Sequence, residues 1–138
     1  MEGKRGGTTV KEMKDVVRGL QHIGLPTGVI DETIAFYGAI GFEVIHENRH
    51  PGGRVAFLRC GTLVIETYEE ERTAGQAGAI DHIALDVSDI EATYALVNQL
   101  GHPALEGGVQ TLPFFERGVS FFTIEGPNRE KVEFSQYL

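Results

Sequence analysis

His22-Ile23-Gly24-Leu25 recurs sixty residues later as His82-Ile83-Ala84-Leu85. From Leu20 to Gly41 the shifted copy is identical at seven of 22 positions: His22/His82, Ile23/Ile83, Leu25/Leu85, Ile30/Ile90, Thr33/Thr93, Ala35/Ala95 and Gly41/Gly101. Each copy ends in a strand-like run that carries a glutamate, Leu63-Val64-Ile65-Glu66 in the first and Lys131-Val132-Glu133-Phe134 in the second. A repeated unit with a histidine near its start and a glutamate near its end suggests a site assembled from two halves by pseudo-symmetry. Two imidazoles and two carboxylates form a suitable donor set for a divalent metal.

The periodicities give each copy the same order of elements. In the first module Leu20–Leu25 reads as a strand, closed by Pro26-Thr27-Gly28. Val29–Ile40 reads as a helix with Ile30, Ile34 and Tyr37 on one face and Gly41 as its stop. Phe42–His46 is a strand, and Val55–Arg59 and Leu63–Tyr68 form a hairpin about Cys60-Gly61-Thr62. The run from Glu69 to Gly78 reads as a linker. In the second module Ile80–Val87 is a strand, and Asp89–Leu100 is a helix capped by Ser88, with Ile90, Tyr94 and Val97 inward. Ala104–Glu106 is a short strand. Gly107–Arg117 is a loop with an exposed Leu112-Pro113-Phe114-Phe115, and Val119–Ile124 and Lys131–Ser135 are the final strands. The expected organisation is an N-terminal tail or arm over residues 1–18, holding a short helix at Val10–Val17 capped by Thr8 or Thr9. A single domain over 19–138 follows, with modules at about 19–68 and 79–138.

Bulk properties narrow the class. A chain of 138 residues with 41% apolar residues is the size of one compact domain with a real core. A net charge of −8 argues against nucleic acid and anionic membranes as partners. One cysteine, Cys60, excludes an intramolecular disulfide and is expected only to pack. No apolar run reaches a transmembrane length, and the start is too polar for a signal peptide, so a cytoplasmic protein is expected.

Side chains alternate faces along a strand, so His22 shares a face with Gly24, and His82 with Ala84. The small neighbour is read as leaving room for a ligand beside a metal, while Ile23, Leu25, Ile83 and Leu85 turn to the helices. Taken singly, each histidine reads as an ordinary half-buried residue. Glu66 and Glu133 interrupt apolar strands, where an unpaired carboxylate is costly. The symmetric set of four carries the metal reading. His46, His50 and His102 have no such counterparts and are assigned no role.

At these residues the chain resembles the vicinal oxygen chelate superfamily, which includes glyoxalase I, methylmalonyl-CoA epimerase, fosfomycin-resistance proteins and extradiol dioxygenases. The matching pieces are Leu20-Gln21-His22-Ile23-Gly24, Ile34-Ala35-Phe36-Tyr37 with Gly41-Phe42, Val64-Ile65-Glu66, Ile80-Asp81-His82-Ile83-Ala84, and Gly126-Pro127-Asn128 before Lys131-Val132-Glu133-Phe134. The resemblance implies an α+β fold, two tandem βαβββ modules forming a curled mixed sheet around a metal cleft. It also implies His22, Glu66, His82 and Glu133 as metal ligands, in the pattern of bacterial glyoxalase I. The implied metal is nickel or cobalt, with zinc and manganese as alternatives. Glu133 is the implied catalytic base and Glu66 the second catalytic carboxylate, acting on a small-molecule α-hydroxycarbonyl or hemithioacetal. Arg117-Gly118 is similar to the pair that contacts the glycine end of glutathione, which makes Arg117 a substrate-binding candidate. Pro26 and Glu70 stand where glutathione-using relatives carry Arg and Asn. The alternatives are an epimerase of the methylmalonyl-CoA or sugar type, and a non-catalytic binding or resistance protein. A homodimer is expected.

Overall fold

The computed structural model describes residues 12–127 and 129–138. Two βαβββ units follow one another: β1 (Val17–Thr27), α1 (Ile30–Ala39), β2 (Glu43–His50), β3 (Gly53–Cys60) and β4 (Leu63–Glu69), then β5 (His82–Val87), α2 (Ile90–Gln99), β6 (Gln110–Leu112), β7 (Val119–Glu125) and β8 (Lys131–Tyr137). All eight strands form one curled mixed sheet in the order β2-β3-β4-β1-β5-β8-β7-β6, an α+β fold in which each half mirrors the other. No helix among the described residues is long and apolar enough to cross a membrane.

The halves join where β1 and β5 pair antiparallel, with Ile23 opposite Ile83. Each first strand also pairs parallel with the last strand of its own unit, β1 with β4 and β5 with β8. Helix α1 lies over β2, β3 and β4, and α2 over β7 and β8. Val87, Ile90, Val97, Phe122 and Phe134 form the core under α2. The middle of this outer face stays open, contrary to the expectation that Ile83 packs on a helix: Leu20 is 52% and Ile83 42% exposed.

Gly41 and Gly101 end the two helices with positive φ, 110° and 88°, a conformation that favours glycine. The N-cap of α2 is Asp89 rather than Ser88. The Asp89 carboxylate accepts from Ala92 N at 3.0 Å, while Ser88 N–H is already committed to the Val16 carbonyl at 3.0 Å. That bond and the pairing of Val17 with Val87 bring Val16 fully into the interior. A 3₁₀ turn at Met13–Asp15 precedes β1, and the Thr8 or Thr9 cap lies outside the described residues.

Two expectations for the second unit are corrected. Ala104–Glu106 is a turn, closed by Gly107 N donating to the Ala104 carbonyl, and the edge strand is Gln110–Leu112. Phe114 is not exposed but 2% accessible, packed with Val55, Phe57, Val64 and Val119 on the inner face. Cys60, expected to pack, is exposed at the β3–β4 hairpin. Since Phe114 closes this inner cluster, Phe114→Ala should destabilise the protein by about 3–5 kcal/mol, read from urea denaturation. A loss under about 1 kcal/mol would show that the loop does not close the core.

Candidate metal centre

The register explains why four distant residues meet. In β1–β5 pairing His22 lies opposite Ala84 and Gly24 opposite His82, so both imidazoles rise from the same face. In β1–β4 pairing Glu66 sits beside Gly24, and in β5–β8 pairing Glu133 sits beside Ala84. Neighbours across strands share a face, so both carboxylates join the imidazoles on the inner side. All four come from one chain.

The side chains converge. Glu66 Oε1 lies 3.3 Å from His22 Nε2 and 3.4 Å from His82 Nε2. Glu133 reaches His22 Nε2 with Oε2 at 3.5 Å and His82 Nε2 with Oε1 at 3.4 Å. One donor atom from each of His22, His82 and Glu133 lies within 4.8 Å of the others. The small neighbour expected to leave room for a ligand has another purpose at Gly24. The His82 ring lies across it, and a Cβ there would fall 2.0 Å from His82 Cε1.

The other ring nitrogens decide what the inner ones can do. His22 Nδ1 donates to Gln21 Oε1 at 2.9 Å. The Gln21 amide is oriented by its nitrogen, which donates to Asp86 Oδ1 and to the Ser135 carbonyl. His82 Nδ1 donates to Asp81 Oδ2 at 2.9 Å. Each imidazole, when neutral, therefore holds its proton on Nδ1 and directs the Nε2 lone pair inward. Both Nε2 atoms are buried and, among the described residues, without a hydrogen-bond partner. Two neutral imidazoles and two carboxylates around a divalent cation balance in charge, which removes the cost of burying the carboxylates. The residues fit a divalent metal.

The side chains of the site shift one another's protonation in opposite senses. Burial would lower His82, but its hydrogen bond with Asp81 and the Glu66 and Glu133 charges beside it raise it to about 10. Burial raises the Glu133 carboxyl to about 7, against the pull of His22 and with repulsion from Glu66. Burial would also raise Glu66, yet the two imidazoles hold it down to about 2.

Beside the centre is a chamber of about 50 Å³, more than the about 10–15 Å³ one water needs. Its far wall is Phe57, Leu112, Phe114, Phe115, Val119 and Phe121, and among the described residues no Lys or Arg lines it. His46, assigned no role from sequence, packs against this wall, beside Phe57, Phe114 and Phe115. A β-bulge between Val44 and His46 sets His46 opposite Phe57, turning it inward. The Phe115 ring stacks on His46 at 4.6 Å and its N–H donates to His46 Nε2 at 3.3 Å, contacts that hold Phe115 at φ 62°. Burial lowers the His46 pKa. Arg117 borders a separate, open groove with Thr111, Pro113 and Glu116. Glu69, Glu70 and Glu71 line another open groove with Arg72, and His102 is exposed. Gln21 and Asp81 went unassigned in sequence. Their signal was available, since a hydrogen-bonding residue precedes the histidine in both copies.

The family model of the Glyoxalase/Bleomycin resistance protein/Dioxygenase superfamily matches residues 19–134. The chain belongs to this superfamily. It is 29% identical over 130 residues to the uncharacterized protein YwbC of Bacillus subtilis (strain 168), covering 88% of this chain and 99% of that one. Among solved structures it is similar to methylmalonyl-CoA epimerase from Mycobacterium tuberculosis, with TM-score 0.73, 20% identity, and 88% and 89% of the two chains covered. It is also similar to the Mn(II)-bound glyoxalase from Novosphingobium aromaticivorans, with TM-score 0.62, 21% identity, and 88% of this chain but 39% of that one covered. At these identities the solved structures establish a common fold.

Proposed function

We propose that the protein is a metal-dependent lyase or isomerase of glyoxalase I type, acting on an α-hydroxycarbonyl or hemithioacetal. The observation that carries this reading is the pair of buried, unpartnered Nε2 atoms of His22 and His82 facing two carboxylates. His22, Glu66, His82 and Glu133 would hold the ion. When bound, the metal polarises a carbonyl and stabilises the enediolate left by proton loss. Glu133 takes the proton from carbon. Its carboxylate spans the site, with one oxygen toward each imidazole, within reach of a substrate placed there. The phenylalanine wall excludes water and receives the substrate's apolar substituent.

A second reading, epimerisation, is favoured by the matching register of Glu66 and Glu133. Each lies beside the small residue two positions after a histidine, so the carboxylates approach from opposite halves of the sheet. A screen of metal-loaded protein against methylglyoxal with several thiols, sugar-derived ketoses and acyl-CoA esters tests both readings. Turnover of none, with tight stoichiometric binding of one, would replace them with a binding protein.

Metal binding should be pH-dependent in a defined sense. Binding requires deprotonated donors, so the proton on His82 must leave at neutral pH, and below about 7 that on Glu133 as well. Affinity should therefore rise with pH, about tenfold per unit above pH 7 and more steeply below it. Calorimetric titrations in buffers of different ionisation enthalpy would count the protons released. Affinity constant between pH 6 and 8 contradicts the assignment.

A further inference from the structure

The two imidazoles are alike in position but not in backing. His22 leans on the neutral amide oxygen of Gln21. His82 leans on the carboxylate of Asp81, and two other groups hold that carboxylate in place. Lys131 Nζ donates to Asp81 Oδ1 at 3.1 Å, and the Tyr68 hydroxyl donates to Asp81 Oδ2 at 3.2 Å. The Asp81 backbone is also pinned, its N–H donating to the Gly24 carbonyl at 2.7 Å. Asp81 just precedes β5, so strand alternation does not force its side chain away from that of His82. Gln21 reaches His22 by a different route, through the β-bulge between Leu20 and His22 in β1.

We propose that Asp81, held by Tyr68 and Lys131, is a positioning residue that makes His82 the firmer of the two imidazole donors to the ion. The proposal rests on the metal reading above. A carboxylate accepting the Nδ1–H draws the imidazole toward imidazolate character and strengthens donation from Nε2, whereas an amide oxygen does so less. It also fixes the rotation of the ring, which lies across Gly24. The two halves of the site are thus chemically unequal. The second half anchors the ion through His82, and the His22 half, backed by a neutral group, yields more readily as the coordination sphere changes during turnover.

The test is a titration of the full chain with Co²⁺ and Zn²⁺, together with ¹⁵N spectra of the histidine side chains in the Zn²⁺-loaded protein. Asp81→Asn keeps an oxygen to accept the Nδ1–H but removes the charge. It should weaken metal binding by about 10–100-fold and shift the Nδ1 resonance of one imidazole, that of His82, while leaving His22 in place. Tyr68→Phe removes one hydrogen bond to Asp81 without touching the ring. It should weaken binding by about two- to tenfold and move the same resonance in the same direction, which keeps the proposal testable if Asp81→Asn does not fold. Metal affinity within twofold of the parent in both variants, or equal shifts of both imidazoles, overturns the proposal and leaves the metal site intact. A parent protein that binds neither ion overturns the metal reading itself.

Discussion

Glu133→Gln should leave the metal in place and remove about 10²–10⁴-fold of turnover, the usual contribution of a positioned general base. The amide keeps an oxygen for the ion but cannot hold a proton from carbon. The buried Glu133 carboxyl spans both imidazoles, with one oxygen toward each, so the substitution alters charge more than shape. The parallel substitution Glu66→Gln separates the two functional readings. Glu66 approaches both imidazoles with a single oxygen, whereas Glu133 turns one oxygen to each. In a one-face isomerisation, Glu66→Gln should be the milder change. In an epimerisation each face of the carbon needs its own acid or base, and both substitutions should be equally damaging. Each kcat is to be compared at saturating metal, with metal content measured on the same samples. A Glu133→Gln protein that retains its metal and turns over at the parent rate would refute the assignment of the base.

Gly24→Ala should cost the protein most of its metal affinity, about 100-fold or more if one imidazole is displaced from the site. A methyl group at this position would lie 2.0–2.5 Å from three atoms of the His82 ring. The ring is buried and tied to Asp81, so it cannot turn aside without giving up that hydrogen bond. Overpacking of this kind also costs about 1–3 kcal/mol of stability, visible in denaturant unfolding. Ala84, which stands in the same relation to His22, already carries its methyl group in the interior. Titration of Gly24→Ala with Co²⁺ is the direct check, and an unchanged dissociation constant would mean that the ring does not lie where the structure puts it.

Much of this was legible in the chain. The sixty-residue repeat established two equivalent units, and their hydrophobic periods established the order strand, helix and three strands in each. These signals are local, since strand and helix periods and glycine stops depend on a few neighbours. The four residues His22, Glu66, His82 and Glu133 stood out because duplication gave each half the same pair. Their meeting within 3.3–3.5 Å is a matter of register between strands far apart in sequence. The pairing of β1 with β5 about Ile23 and Ile83 sets that register.

What escaped the sequence has two physical causes. Bulges in β1 and β2 add a residue on one strand without a partner on the other and so break the alternation from which facing is read. They brought Gln21 to His22 and turned His46 against the aromatic wall. The burial of Phe114 and Phe115 depends on the second unit's loop folding across the first unit's strands, where Asn48 donates to the Pro113 carbonyl. The duplication in the sequence thus determined which residues could form a centre. Tertiary structure decided their facing, the need for glycine at position 24 and the anchoring of Asp81, because each arises from contacts between separate elements of the chain, β1 with β5, Gly24 with His82 and Asp81 with Lys131.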